Sequence, residues 1–463
     1  MLAGVALVGC GRIGFDPSST GGADSRLPND GAGGDATGGH RVAVTPIGGV
    51  GLGMRPYRIA AAANDRTYVL TMLFNTATVG GMTFTNTAHP DALVIALDGP
   101  AVAWTRQLVD DSSVGTLLAI GSLGLAVDDN GNVVACGEFQ GTIDFGTGPV
   151  TSSGNTDGFV LGIQPSGTTR WLRTIGSAGE ELVMGCATEP GAVVVTGAFQ
   201  GTLMTGVANL TSAGGTDLYR IRYDLIGSPL SGTRHGGAGA DVPRDLVVEG
   251  TDTIVTGTVQ NATDLGAGPI VPAGFTDVFV ARYSSAGSTV LVHHVGGAGL
   301  DRPNAVATAG ERMIAVGEFE QTVDFRGPVA TSAGGSDAFI LSMGATDGDR
   351  WVAAVGSTGT DRATSVIVDL SGNIYAALEV SGTITLAGEM FTTSGQDILV
   401  VSYTPAGELR WFRTWNGSGL DTAARLTLRR DGSITLLANT TTTLDVDGTQ
   451  VSGTFIITLT PGA

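Results

Sequence analysis

The chain has 463 residues, 42% hydrophobic and 14% charged, with 73 Gly. Average usage would give Gly about 7%, and roughly twice that share without a collagen period marks many short strands joined by tight turns. The formal net charge is −19, from 43 acidic and 24 basic residues, the latter all Arg; such a field disfavours nucleic acid and anionic headgroups as partners of the body and favours divalent cations or cationic patches.

In chain order, the first feature is an apolar run, Leu2 to Val8, too short to span a bilayer. It ends in Leu7-Val8-Gly9-Cys10, which resembles the lipobox of bacterial lipoproteins. That resemblance implies an export signal over residues 1–10, lipidation of Cys10 and an address in the bacterial cell envelope, on a lipid anchor at the outer membrane or periplasmic face. No Lys or Arg precedes the apolar run, which departs from the usual export signal. Residues 11–40 follow, rich in Gly, Asp and Ser, and from residue 16 they hold almost nothing apolar beyond Leu27. Such a segment cannot offset the entropy of ordering and is expected to be a flexible tether, spanning roughly 28 Å root-mean-square.

The body, 41–463, is a repeat. Asp241, Asp301, Asp361 and Asp421 stand 60 residues apart, each behind a Gly-rich loop such as Gly236-Gly237-Ala238-Gly239, and Glu181 extends the series upstream. A fixed period of this size means one supersecondary unit copied and stacked. The copies run about 48–108, 109–175, 176–235, 236–295, 296–355, 356–415 and 416–463, the second lengthened near Leu117–Gly124.

Within the fifth copy, strands are expected near Asn304–Thr308, Arg312–Phe319, Ala338–Met343 and Arg350–Val355. A long connection, Glu320–Ser336, is expected to carry a small hairpin around Phe325-Arg326-Gly327. Asn130-Gly131, Ser371-Gly372, Ser166-Gly167 and Ala406-Gly407 have hairpin-turn chemistry. Four antiparallel strands per unit make a propeller blade, so the fold class expected is all-β, a seven-bladed β-propeller of four-stranded blades. The last copy lacks a fourth strand, and the spare segment at about 41–47 supplies one, removing two open edges.

Copies such as GGAGLDRPNAVATAGERMIAVGEFEQTVDFRGPVATSAGGSDAFILSMGATDGDRW resemble the SBBP-type propeller repeats of bacterial exported proteins. The resemblance covers about 41–463 and implies a propeller and an exported protein, with no particular activity.

A second acidic series, Asp157, Asp217, Asp277, Asp337 and Asp397, also 60 apart, precedes the third strands. Propeller connections four-to-one and two-to-three share an end, so both series should crowd one rim. There they either collect cations such as Ca²⁺ or, the reading favoured for a residue needed in every blade, accept hydrogen bonds from their own turns. The metal candidates are Asp241, Asp301, Asp361, Asp421 and Glu181; no other cofactor is expected. Trp104, Trp171, Trp351 and Trp411 share one fourth-strand position and are expected to pack between blades. The five His have no recurring partner spacing, and no catalytic constellation stands out. Cys186 reads as a core residue, and a Cys136–Cys186 disulfide is left open.

Departures from the repeat, Met54-Arg55-Pro56-Tyr57-Arg58 in place of an acidic position, make Arg55 and Arg58 partner-binding candidates beside Asp157, Asp217, Asp277, Asp337 and Asp397. The function expected is a lipid-anchored, non-enzymatic binding or scaffold protein, monomeric, meeting an envelope protein or glycan through its acidic loop face. The alternatives are a lyase or hydrolase at the mouth of a central channel, or a Ca²⁺-stabilised structural propeller.

Overall fold

The period-two patterning comes out as β-structure throughout: in the computed structural model every regular element is a strand. Residues 40–48, 54–86, 90–108, 116–118, 123–346 and 349–461 are described. The expected export signal with Cys10 and the tether up to residue 39 lie outside the described residues.

Each copy is an antiparallel meander. In the third, Glu181–Glu189, Ala192–Phe199, Asp217–Asp224 and Pro229–His235 pair in sequence order. The same order recurs for Met54–Ala61 through Ala101–Gln107, and for Arg362–Val368 through Leu409–Trp415. The fourth and fifth meanders join into one eight-stranded sheet, because Gly296 and Gly297 pair with Asp324 and Val323.

Two details differ from the sequence expectation. The connection Glu320–Ser336 is mostly strand: Arg312–Asp324 and Val329–Met343 continue past a register shift between Glu320 and Thr322, where Gln321 takes φ 60°. A bulge bends the ribbon without ending it, so the pair reads as a loop by composition. In the second copy, Thr116–Leu118 from the insertion pairs with Glu138–Gln140 beside Gly124–Val127, so that inner edge is built from two pieces.

The N-terminal segment Arg41–Gly48 pairs antiparallel with Thr449–Thr460, Val42 opposite Leu459 and Val44 opposite Ile457. Val42 and Val44 pack on a core containing Trp411, Leu436 and Ile457.

The first strands of the meanders touch in succession: Met54–Ala61, Gly124–Val127, Glu181–Glu189, Asp241–Glu249, Asp301–Ala309, Arg362–Val368 and Asp421–Leu428, the last of these touching the first. In six of them the register shifts at one place, between Pro56 and Arg58, Val183 and Gly185, Pro243 and Asp245, Pro303 and Ala305, Ala363 and Ser365, and Ala423 and Arg425. A bulge re-aims the side chain that follows it.

Between sheets the Trp series acts as a set of staples. Trp104 Nε1 donates to Pro165 O at 2.8 Å, Trp171 Nε1 to Leu225 O at 3.0 Å and Trp351 Nε1 to Pro405 O at 3.0 Å, each a carbonyl in the next sheet's three-to-four hairpin. Trp411 Nε1 has no acceptor among the described residues. Its neighbour is the sheet whose third and fourth strands come from opposite ends of the chain, so no hairpin carbonyl faces it, and His40 packs on its ring at 4.9 Å. Gly407, at φ +88°, lies so close under Trp351 that an added Cβ would meet the indole at 2.7 Å. Gly407→Ala should therefore lower stability by about 1–3 kcal/mol, read as a shift in the urea midpoint.

Cys136 and Cys186 are buried free thiols. They approach across Gly124, where a Cβ would lie 2.4 Å from one sulfur and 3.1 Å from the other.

Candidate functional site

Both acidic series lie at one end of the sheets. The N–H of Asp241 donates to Thr216 O at 2.7 Å, that of Asp301 to Thr276 O at 3.1 Å and that of Asp361 to Ser336 O at 2.8 Å. Each four-to-one loop is thereby sewn to a two-to-three connection. Every carboxylate of the two series is buried. They turn back on their own loops: Gly237 N–H donates to Asp241 at 2.7 Å, Gly297 to Asp301 at 2.7 Å, Ser357 to Asp361 at 2.6 Å and Ser177 to Glu181 at 2.7 Å. The second series repeats the pattern, with Ser153 on Asp157, Ala213 on Asp217, Ala273 on Asp277, Ala333 on Asp337 and Ser394 on Asp397, at 2.7–3.2 Å. A partner cannot reach Asp157, Asp217, Asp277, Asp337 or Asp397 without opening these turns. Sequence spacing does not reveal this burial, which leaves the turns rather than the carboxylates as the surface at this end.

The two series meet in pairs 24 residues apart. An added Cβ on Gly236 would meet Asp217 Oδ1 at 2.6 Å and Asp241 Oδ2 at 2.8 Å, so the two carboxylates flank one glycine. Burial, with the charge of Asp277 alongside, pushes Asp301 up to about 6 against the Gly297 hydrogen bond. Burial and Asp397 do the same to Asp421, also to about 6. Burial raises Asp241, Asp337, Asp361, Asp397 and Glu181 as well. The Oδ1 atoms of Asp217, Asp241, Asp277, Asp301 and Asp337 are buried with no hydrogen-bond partner among the described residues. A Ca²⁺ ion takes six to eight oxygens, and no three His, Cys, Asp or Glu side chains gather among the described residues. Each pair offers a cation two carboxylates, and backbone carbonyls or water would have to complete the shell.

A different grouping sits on the first strands. The positions following the bulge, with Gly124 as the second copy's equivalent, are Arg58, Gly124, Gly185, Asp245, Ala305, Ser365 and Arg425; they face Leu70, Cys136, Thr196, Thr256, Val316, Ala377 and Leu437 across their hairpins. Three are small, and the remaining four carry polar or charged groups. Arg425 forms an ion pair with Asp245, whose second oxygen accepts from Val306 N–H at 3.1 Å. Ser365 Oγ accepts from Leu426 N–H at 2.9 Å, the same stitch two strands further on. Arg58 donates to the Tyr57 carbonyl at 3.1 Å. Burial, and then the charge of Arg425, lowers it to about 10, with Asp245 opposing. Arg55 lies on the same strand, where only its backbone is described. Asp245 and Arg425 were not singled out from sequence, although the 60-residue register Gly185, Asp245, Ala305, Ser365, Arg425 would have found them.

No family model matches the chain. No curated protein matches it either, so the likeness to SBBP-type repeats stands on the quoted residues alone. Among solved structures, the β-propeller domain of the Trilobed protease from Pyrococcus furiosus is similar at 8% identity and a TM-score of 0.44, covering 87% of this chain and 96% of that one. The acylaminoacyl peptidase of Pyrococcus horikoshii gives 8% and 0.42 over 86% of this chain, which spans 52% of the peptidase. A subtype N10 neuraminidase-like protein of A/little yellow-shouldered bat/Guatemala/060/2010 gives 6% and 0.39, covering 91% of this chain and 100% of that one.

Proposed function

We propose that the chain is a closed seven-bladed propeller of the SBBP type, and that it serves as a non-enzymatic binding or scaffold protein held in the bacterial envelope by lipid on Cys10. The first-strand succession and the pairing of Arg41–Gly48 with Thr449–Thr460 support the closed ring. The observation that carries the binding role is an apolar one. The two-to-three connections, at the end where the acidic pairs are buried, raise Met204, Phe275, Val329 and Met390 into solvent at 64–74% exposure. One exposed large apolar side chain is ordinary, but a set spread around one end marks a docking surface. Adaptable Met and bulky Phe suit a protein partner better than a glycan.

A photo-crosslinking residue placed at Met204 or Met390 in cells should give a discrete protein adduct. Placed at the exposed Leu370, in a one-to-two turn at the other end of the sheets, it should give none. Met204→Glu with Met390→Glu should reduce partner capture about tenfold or more at an unchanged melting temperature. Equal adducts from Leu370, or turnover of a peptide or polysaccharide without any adduct, would overturn this reading in favour of the enzyme.

A further inference from the structure

We propose that the axis of the ring holds a site for a small oxyanion, the carboxylate or phosphate group of a ligand, gripped by Arg58 and Arg425 and braced by Asp245. The proposal is independent of what docks on the hairpins. Its geometry begins with the Arg425–Asp245 ion pair. Their strands, Asp421–Leu428 and Asp241–Glu249, are not neighbours: Asp301–Ala309 and Arg362–Val368 stand between them in the succession of contacts. An ion pair that skips two strands crosses the space the first strands surround.

That pair uses up the carboxylate, because the other Asp245 oxygen is held by Val306 N–H. Arg58 stands at the position equivalent to Arg425 on the neighbouring strand, Met54–Ala61 touching Asp421–Leu428, and the two charges oppose one another. Its one hydrogen bond among the described residues goes to the neighbouring Tyr57 carbonyl, and a guanidinium carries five N–H donors in a planar fork. A desolvated cation beside a second cation, sharing one carboxylate, is a costly arrangement unless an anion completes it. An oxyanion bridging the two guanidinium groups would do so in the bidentate geometry such groups favour.

The charge distribution points the same way. A chain of net charge −19 places Arg58, Arg244, Arg302, Arg362 and Arg425 on its innermost strands. Arg302 and Arg362 are answered by Glu318 and Glu379, while Arg244 Nε is buried without an acceptor among the described residues. Around Arg58 and Arg425 two guanidinium groups face the single carboxylate of Asp245, and a local field of that sign concentrates anions.

The test uses the full chain in low-salt, chloride-free buffer, titrated by calorimetry and melting temperature with inorganic phosphate in one arm and acetate in the other. Binding is expected in at least one arm; phosphate alone identifies a phosphate-bearing ligand, acetate alone a carboxylate. Arg58→Gln should weaken the bound probe about tenfold or more. In the absence of anion it should melt no lower than the wild type, since an unanswered charge has been removed. Arg41→Gln, an exposed change on the N-terminal strand, should leave the affinity within about twofold. No heat and no melting shift from either probe, or an Arg58→Gln variant that binds as tightly as the wild type, overturns the proposal.

Discussion

Stability should be greatest near pH 4–5 and decline as the pH rises to about 7, the reverse of ordinary acid denaturation. Asp301 and Asp421 are raised from 3.8 to about 6 in the folded protein, and both are buried. An acid whose folded pKa is raised holds its proton more tightly when folded. Below about pH 4 both states are protonated and nothing is lost. Between about 4 and 6 the unfolded chain ionises first, and folding loses on the order of 3 kcal/mol per group. The opposite trend comes from groups such as Asp98, held low by its hydrogen bonds from Arg66, and Asp431, held low by Ser433 N–H. Their contribution is lost only as the pH falls through their depressed values, which places the optimum between the two sets. Urea midpoints from pH 4 to 8 check the profile.

Asp301→Asn sharpens the test. The amide oxygen still accepts from Gly297 N–H, while the amide nitrogen can donate toward Asp277, whose Oδ1 has no hydrogen-bond partner among the described residues. The variant should be more stable than the wild type at pH 7.5 by about 1–3 kcal/mol and nearly equal to it at pH 4.5, flattening the profile. Equal destabilisation at both values would mean that the carboxylate is wanted in its charged form, and the account of the rim as pairs of frustrated acids would fail.

The strands of the repeat were legible because period-two alternation and Gly-bearing turns are local. Gly131, Gly167, Gly372 and Gly407 all take the positive φ their turns require. That the acidic series share one rim was also legible, since it follows from where connections fall in a meander. Their burial was not, because the N–H donors four residues upstream close over the carboxylates only once loop and sheet are both in place. The Arg58 group was half legible. Arg58 drew notice as a departure from the acidic loop position, yet it belongs to a different register, the one shared with Asp245 and Arg425, and a one-residue bulge separates the two. Counting back by 60 from Arg425 reaches Ser365, Ala305, Asp245 and Gly185 but then falls on Leu125 and Asp65, because the longer second copy displaces the register of Gly124 and Arg58. Repetition marks what every sheet needs to fold, and the informative positions are those where the register repeats and the residue does not.

A chain beginning at Gly49 should lose about 4–6 kcal/mol relative to one beginning at His40. The missing strand takes with it Ile47, which is buried, and Val42 and Val44, which pack on the Trp411 core; burying such side chains is worth roughly 1.5–3 kcal/mol each when complete. It also strips the partner from Phe455–Thr460, leaving an apolar edge strand that invites pairing with another copy. Against a total stability of about 5–15 kcal/mol, that loss should appear both in the urea midpoint and as concentration-dependent association. A synthetic peptide of residues 40–48 supplied in trans should restore the monomer, because the vacated edge has the register for Val42 opposite Leu459 and for no shifted pairing that keeps Ile47 buried. Full stability in the shortened chain, with no response to the peptide, would mean that the N-terminal strand decorates the last sheet without completing it. The sheets would then need another means of holding the two ends of the chain together.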